Sequence, residues 1–114
     1  MYKAIIQLTS DDIKVHRSMI RQVNNLLDYL RGNIQVRIVC HGASLPFCLN
    51  QSNPFREDIK SLLLRKVAVA ACHNMLVSNA KSESELIAGL EIIPSAIADL
   101  VIKQQQGWSY VKAG

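Results

Sequence analysis

Aromatic residues and long hydrophobic runs are both scarce in this chain. Only 5% of its 114 residues are aromatic, so the core must be built from Ile, Leu, Val and Ala. No stretch reaches the roughly 18 uninterrupted apolar residues that a membrane span requires. The first residues lack the long apolar core of a signal peptide and have the pattern of a strand. We therefore expect a cytoplasmic protein that does not enter a membrane.

Clusters of like charge are also missing. The formal net charge of +4 comes from 13 basic and 9 acidic side chains, and no basic run is longer than Arg65-Lys66. Nucleic-acid binding needs basic residues concentrated on one face, so a mildly basic, solvated surface is the better interpretation. We expect no nucleic-acid partner.

Phosphate-binding motifs and a disulfide framework are absent as well. The chain contains neither Gly-x-Gly-x-x-Gly nor Gly-Lys-Ser/Thr, so the usual dinucleotide and triphosphate sites are excluded and we expect no organic cofactor. Its three cysteines, Cys40, Cys48 and Cys72, do not indicate a disulfide framework, because the compartment is expected to be reducing. They are expected to be free thiols.

Strand patterns alternate with helical patterns along the whole chain. Strands are predicted at residues 2–8, 34–40, 67–72, 90–93 and 108–111. Helices are predicted after the cap at 9–12, from Pro54, and from Pro94 to Gly107, with shorter helical turns after Cys72 and at 82–85. This order predicts a three-layer α/β/α sandwich with a mostly parallel five-stranded sheet, formed by residues 1–114 as a single domain.

The second predicted strand differs from the others in its pattern. Ile34, Val36 and Ile38 alternate with Gln35 and Arg37, which indicates one face that is less buried. We therefore expect this strand near an edge of the sheet, or with one face completed by a neighbouring subunit.

Two further apolar segments are expected to be buried, either against the rest of the chain or against a partner subunit. The loop at 45–49 is too apolar for a solvated connection, so it is expected to fold over the edge of the sheet or into a partner chain. Trp108 and Tyr110 lie on one side of the last predicted strand and are interpreted first as core or subunit contacts and second as residues that stack on a ligand. Together these features favour a homo-oligomer.

Cys72 is the candidate nucleophile. It ends the third predicted strand, and in an open α/β sheet ligands and reactive groups collect at the carboxyl ends of central strands. A strand end would expose the thiol, and a helix that begins there would favour the thiolate. The alternative is that Cys72 packs like a small apolar residue, as free cysteines often do.

Histidines follow two of the predicted strands, in Cys40-His41 and Cys72-His73. If the strands are parallel, these residues lie at the same edge of the sheet. The spacing does not favour zinc, since neither Cys-x-x-Cys nor His-x-x-x-His is present, and we expect no metal. A base or thiolate partner is the functional interpretation, and a loop histidine bonded to backbone is the structural one. Cys48 is interpreted as a packing residue.

The chain resembles the DsrE/DsrF-like (YchN-like) family of small sulfur-relay proteins along most of its length. The resemblance rests on short segments in the family's order and spacing: His41-Gly42-Ala43, residues 67–76 with Cys72-His73-Asn74-Met75-Leu76, Ile93-Pro94-Ser95-Ala96-Ile97, and the ending Gly107-Trp108-Ser109-Tyr110. One departure is Lys66, which stands where the family has a glycine before the third strand.

This resemblance implies a compact α/β/α fold that assembles into trimers or hexamers. It implies that the cysteine matched by Cys72 carries sulfur as a persulfide between a donor and an acceptor protein. His41, Gly42, His73 and Asn74 would then line the cleft and orient or polarise the thiol.

Two functions follow from the sequence. In the first, the chain is a sulfur (persulfide) transferase or carrier that uses Cys72 as a thiolate and needs no metal or organic cofactor. In the second, it is a non-catalytic oligomeric module that uses the same edge of the sheet to bind a small ligand or to regulate a partner. An unreactive, buried Cys72 would favour the second.

Overall fold

A five-stranded sheet with all strands parallel forms the middle layer of the computed structural model, which describes all 114 residues. The strands are β1 (Tyr2–Leu8), β2 (Ile34–Cys40), β3 (Ala68–Cys72), β4 (Glu91–Ile93) and β5 (Ser109–Lys112). Their order is β4-β3-β2-β1-β5. The chain thus moves outward from β1 to β4 and returns to the other edge for β5. The predicted α/β class and parallel sheet are confirmed.

Helices cover both faces of this sheet. They are α1 (Ile13–Tyr29), α2 (Leu45–Cys48), α3 (Arg56–Leu64), α4 (His73–Ser78) and α5 (Ala96–Gln105), with a 3₁₀ turn at Glu83–Glu85. No helix combines the length and the apolar character that crossing a bilayer requires.

The side chains of β1 and β2 show which helices share a face. Ile6 lies beside Met19 of α1 and pairs with Ile38 of β2. Successive residues of a strand point to opposite faces, so Arg37 points away from α1, and it contacts Asp99 of α5. Thus α5 lies on the opposite face from α1, and it spans that face as the chain returns from β4 to β5.

The ends of the predicted elements agree well with the structure. β1 and β2 have the predicted bounds, β3 and β4 each begin one residue later, and β5 is shifted by one residue. Asp12 caps α1 by accepting from the N–H of Lys14 at 2.8 Å. The predicted capping box of Ser82 and Glu85 is present but leads only into the 3₁₀ turn.

The prediction that β2 lies near an edge is wrong. β2 is the central strand, hydrogen-bonded to β1 on one side and β3 on the other, and of its residues only Gln35 is exposed. The polar alternation that suggested an edge comes largely from Arg37, which is only 7% exposed. A charged side chain can occupy this position because it is paired there.

Arg37 joins β2 to two other elements through a buried ion-pair network. Its Nε and Nη2 donate to the carboxylate of Asp99 at 2.8 and 3.1 Å, and its Nη1 donates to Glu91 of β4 at 2.9 Å. Burial works to lower the pKa of Arg37, but the hydrogen bonds to Asp99 and Glu91 outweigh it, so the pKa is raised. The network holds α5 against the centre of the sheet.

The apolar loop at 45–49 is covered by its own chain. It contains α2, in which Leu45, Phe47 and Cys48 are buried. The Phe47 ring packs edge-on against the buried His16 ring, with centroids 5.1 Å apart. Of the two alternatives predicted for this loop, the structure therefore has the intramolecular one, and the loop gives no reason to expect a partner chain.

The turn after α3 contains the residue that departs from the family pattern. Lys66 has a φ of +68°, in the left-handed region that costs a non-glycine residue about 1 kcal/mol. The N–H groups of Lys66 and Val67 still donate to Leu63 and Leu62 at 3.0 Å. The turn at Lys66 therefore lies at the amino end of β3, whereas Cys72 lies at its carboxyl end.

The ion-pair network gives a stability prediction. Asp99→Asn removes the main partner of a buried cation, so we expect the free energy of unfolding to fall by about 3 kcal/mol. Glu91→Gln is the matched control, because the Glu91 side chain is 51% exposed, against 16% for Asp99. It should cost less than about 1 kcal/mol. Urea unfolding followed by circular dichroism measures both, and equal losses would contradict this assignment.

Candidate functional site

Cys72 lies where the sequence predicts it, but it is more buried than expected. It is the last residue of β3 and the N-cap of α4, and its side chain makes no capping hydrogen bond. Only 6% of the residue is exposed. It nevertheless borders an open cleft of about 300 Å³ at the carboxyl edge of the sheet. Access to the thiol is therefore through this cleft.

The parallel register explains why the cleft forms at this edge. Leu8 pairs with Cys40, Cys40 pairs with Ala71, and Cys72 pairs with Ile93, so β1 to β4 all end at about the same level. The residues that follow these ends line the cleft. They come from the loop after β2, from α4 and from the start of α5: His41, Gly42, Asn74, Met75, Ser78, Asn79, Ser95, Ala96 and Ile97.

Three of the four predicted supporting residues line the same cleft as Cys72, and one does not. His41, Gly42 and Asn74 are among its lining residues. His73 is exposed at the start of α4 and lies outside the lining, because neighbouring residues at a helix start point in different directions. Its predicted role beside the thiol has no geometric support in this structure.

His41 is held by a side-chain network. Nε2 of Gln7 lies 2.8 Å from Nε2 of His41, and the Tyr110 hydroxyl donates to Oε1 of the same Gln7. Burial lowers the pKa of His41 from its ordinary value, which favours the neutral ring near neutral pH. Of the two interpretations offered for His41, a backbone-bonded loop histidine is not what is found, since its ring contacts a side chain.

The other two cysteines are sealed in the core. Cys40 and Cys48 are both 0% exposed, and all three cysteines are free thiols. The hydrogen bond to Cys48, together with burial, raises the pKa of Cys40 well above its ordinary value. A thiol in that state is a poor nucleophile, so Cys72 is the cysteine that can meet a reactant.

No metal-binding cluster is present, since no three His, Cys, Asp or Glu side chains converge. A larger cavity of about 490 Å³ lies between residues 49–52 and 81–85, lined mainly by polar side chains such as Asn50, Lys81 and Glu85. It contains no cysteine or histidine. The chemistry available to this chain is therefore concentrated at the cleft beside Cys72.

The sequence reasoning missed two parts of the site. Gln7 could have been recognised from the sequence, because it is a polar residue inside the apolar run of β1. The start of α5 could also have been recognised. Ser95 caps a helix directly after β4, and parallel strands end at the same edge, so this helix start lies near Cys72. Tyr110 was interpreted only as a core, subunit or ligand contact, and its bond to Gln7 depends on β5 pairing with β1.

Comparison with known proteins was informative only at the level of structure. No protein-family model matches the chain, and no curated protein matches it. Several solved structures do match. A protein of unknown function from Methanobacterium thermoautotrophicum, MTH1491, is 22% identical, with a TM-score of 0.93 over 98% of this chain and 99% of that one.

Two further matching structures are less similar to this chain. The ychN protein from E. coli is 17% identical, with a TM-score of 0.81 over 98% of this chain and 99% of that one. A conserved protein of unknown function from Bacteroides thetaiotaomicron, BT1422, is 16% identical, with a TM-score of 0.73 over 96% of this chain and 93% of that one.

These similarities define the class of fold to which the chain belongs. The chain has the YchN-like, or DsrE-like, α/β/α fold, which confirms the resemblance found in the sequence at the level of structure. At these identities the fold is what the solved structures share with this chain, and two of the three have no known function. Function must therefore be argued from the cleft itself.

The different environments of the three thiols predict different reactivity. In the native protein we expect iodoacetamide to modify Cys72 at least ~10-fold faster than Cys40 or Cys48, because those two react only after the core opens. Peptide mass spectrometry over a time course measures each rate, and in denaturant the three rates should converge. Equal native rates, or a faster Cys40, would contradict this description of the cleft.

Proposed function

We propose that this chain accepts sulfane sulfur on Cys72 as a persulfide and passes it to the thiol of a partner protein in the cytoplasm. The observation that carries the proposal is that Cys72 is the cysteine that borders an open cleft, while Cys40 and Cys48 are enclosed. The resemblance to small sulfur-relay proteins supports the same chemistry, and sulfur exchange between thiols needs no metal or organic cofactor.

The transfer consists of two balanced exchanges. In the first, the Cys72 thiolate attacks the outer sulfur of a donor persulfide, so a new S–S bond forms on Cys72 and the donor leaves as a thiolate. In the second, an acceptor thiolate attacks the outer sulfur on Cys72, which forms the acceptor persulfide and regenerates the Cys72 thiolate. No net oxidation or reduction occurs.

The side chains that line the cleft are suited to binding a persulfide. Its polar lining contains His41, Asn74 and Asn79 and no acidic side chain. A persulfide is anionic, so a wall without carboxylates avoids like-charge repulsion, and neutral donors can stabilise the outer sulfur. A volume of about 300 Å³ has room for the end of a partner's cysteine-bearing segment.

A second candidate is the non-catalytic module that binds a small ligand in the same cleft. The 6% exposure of Cys72 and the absence of a capping hydrogen bond to its side chain favour this alternative. In that case Cys72 would be a wall residue, and ligand selection would depend on the hydroxyl and amide groups of α4 and α5.

Loading with sulfur separates the two functions. After incubation with inorganic polysulfide, we expect the wild-type protein to gain one sulfur atom by mass on Cys72, and an excess of a small thiol should remove it. Cys72→Ser should gain none. His73→Ala is the matched control and should load like the wild type, because His73 lies outside the cleft. An adduct of equal yield on Cys72→Ser would disprove the relay.

We also propose that the protein works as a homo-oligomer, a trimer or hexamer. Apolar side chains on α5 support this proposal, since Ile97 and Val101 are 57% and 54% exposed. They are four residues apart and so lie on one face of the helix. Ile97 also lines the cleft, so a subunit seated on this face would border the site.

Sedimentation velocity at micromolar concentration tests the assembly. The wild type is expected to sediment as a trimer or hexamer, and Val101→Glu should dissociate it because a charge would be buried in the contact. Leu64→Glu is the matched control, since Leu64 is an exposed apolar residue of α3. That helix lies beside α1 on the other face of the sheet, where Arg65 pairs with Asp28 of α1. A monomeric wild type would rule out the proposal.

A further inference from the structure

A row of three polar side chains runs along the carboxyl edge of the sheet and ends at the cleft. The Tyr110 hydroxyl donates to Oε1 of Gln7, and Nε2 of Gln7 donates to Nε2 of His41 at 2.8 Å. The three residues come from β5, from β1 and from the position after β2, which are neighbours in the sheet. These side chains make no other hydrogen bond, so the row acts as one unit.

The direction of these hydrogen bonds determines the state of His41. Oε1 of Gln7 faces the Tyr110 hydroxyl and its NH₂ group faces the ring, and an NH₂ group can only donate. A ring nitrogen that accepts a hydrogen bond carries no proton, and the neutral ring therefore holds its proton on Nδ1. Nδ1 has no hydrogen-bond partner within the chain, while His41 lines the cleft beside Cys72.

We propose that Gln7 and Tyr110 are positioning residues that hold His41 as its Nδ1–H tautomer, so that His41 offers the cleft a hydrogen-bond donor and not a base. The function of this tautomer rests on the proposed sulfur relay, in which the Nδ1–H group of His41 would stabilise the anionic outer sulfur carried by Cys72. In a thiol–histidine pair the histidine accepts the proton of the thiol. His41 would instead donate a hydrogen bond to the sulfur.

The surroundings of His41 act in the same direction. Burial lowers its pKa, and no carboxylate lines the cleft to stabilise an imidazolium. Protonation of Nε2 would also place a donor against the Gln7 NH₂ group. The amide would then have to rotate, so that Oε1 accepts from the ring and the hydrogen bond with the Tyr110 hydroxyl reverses its direction.

Two-bond ¹H–¹⁵N spectra of the histidine rings test the assignment directly. Slightly above neutral pH, we expect His41 of the wild type to show a protonated Nδ1 and an unprotonated Nε2. His73 serves as an internal control, because it is exposed and should show mainly the Nε2–H form that free histidine favours. A wild-type His41 in the Nε2–H form would overturn the proposal.

Two variants test whether Gln7 and Tyr110 cause this state. Gln7→Glu replaces the donor with a carboxylate that can only accept, so His41 should change to the Nε2–H tautomer and its pKa should rise. Tyr110→Phe releases the amide, and the Nδ1–H fraction of His41 should fall toward that of His73. Tyr110 is 42% exposed, so this variant is expected to fold, and Tyr29→Phe is its matched control. An unchanged tautomer in both variants would refute the role of the network.

The same variants connect the tautomer to sulfur transfer. We expect Gln7→Glu to hold sulfur on Cys72 about tenfold less well, measured as the loaded fraction at equilibrium with a small thiol, because a hydrogen bond to the persulfide anion is lost. Tyr29→Phe should match the wild type. If the wild type accepts no sulfur, the relay fails but the tautomer result stands. If the wild type loads and the tautomer of Gln7→Glu changes without a change in the loaded fraction, the relay stands and the role of His41 as donor is wrong.

Discussion

The parallel pairing of β2 with β1 and β3 is the constraint on which the rest of the structure depends. Leu8, Cys40 and Ala71 stand in one hydrogen-bonded row, so these strands end together and the residues that follow them meet at one edge. A slip of one residue would reverse the face to which each side chain points. Cys72 and His41 would then no longer share a cleft, and Arg37 would point away from its partners.

The buried ion pair of Arg37 and Asp99 links this sheet to the wall of the cleft. Asp99 lies in the first turn of α5, two residues after Ile97, which lines the cleft with Ser95 and Ala96. Holding Asp99 against β2 therefore also positions that wall. Because α5 must span the sheet from β4 to β5, the same helix connects the cleft to the strand that supplies Tyr110. A structural interaction and the candidate site thus share one element.

The three cysteines show how position alone separates residues of one type. Cys40 and Cys72 end neighbouring strands, yet they are one step apart in register, with Cys40 opposite Ala71. One thiol therefore faces the core beside Cys48, and the other borders the cleft. The hydrogen bond to Cys48 and burial raise the pKa of the Cys40 thiol, which makes Cys40 a poor nucleophile, while Cys72 borders the cleft. The proposed relay depends on this single difference in the direction of a side chain.

The sequence by itself determined the elements of this protein, because apolar periodicity and helix caps are local properties: the bounds of β1 and β2, the cap at Asp12 and the start of α4 after Cys72 all follow from neighbouring residues. It also placed Cys72, His41, Gly42 and Asn74 at one edge, since strands in a β-α-β order run parallel. Only the tertiary structure decided that β2 is central, that Arg37 is buried, that His73 lies outside the cleft and that Tyr110 reaches His41 through Gln7. Each of these depends on contacts between residues far apart in the chain, and no local pattern specifies which distant side chain will complete a hydrogen bond or an ion pair.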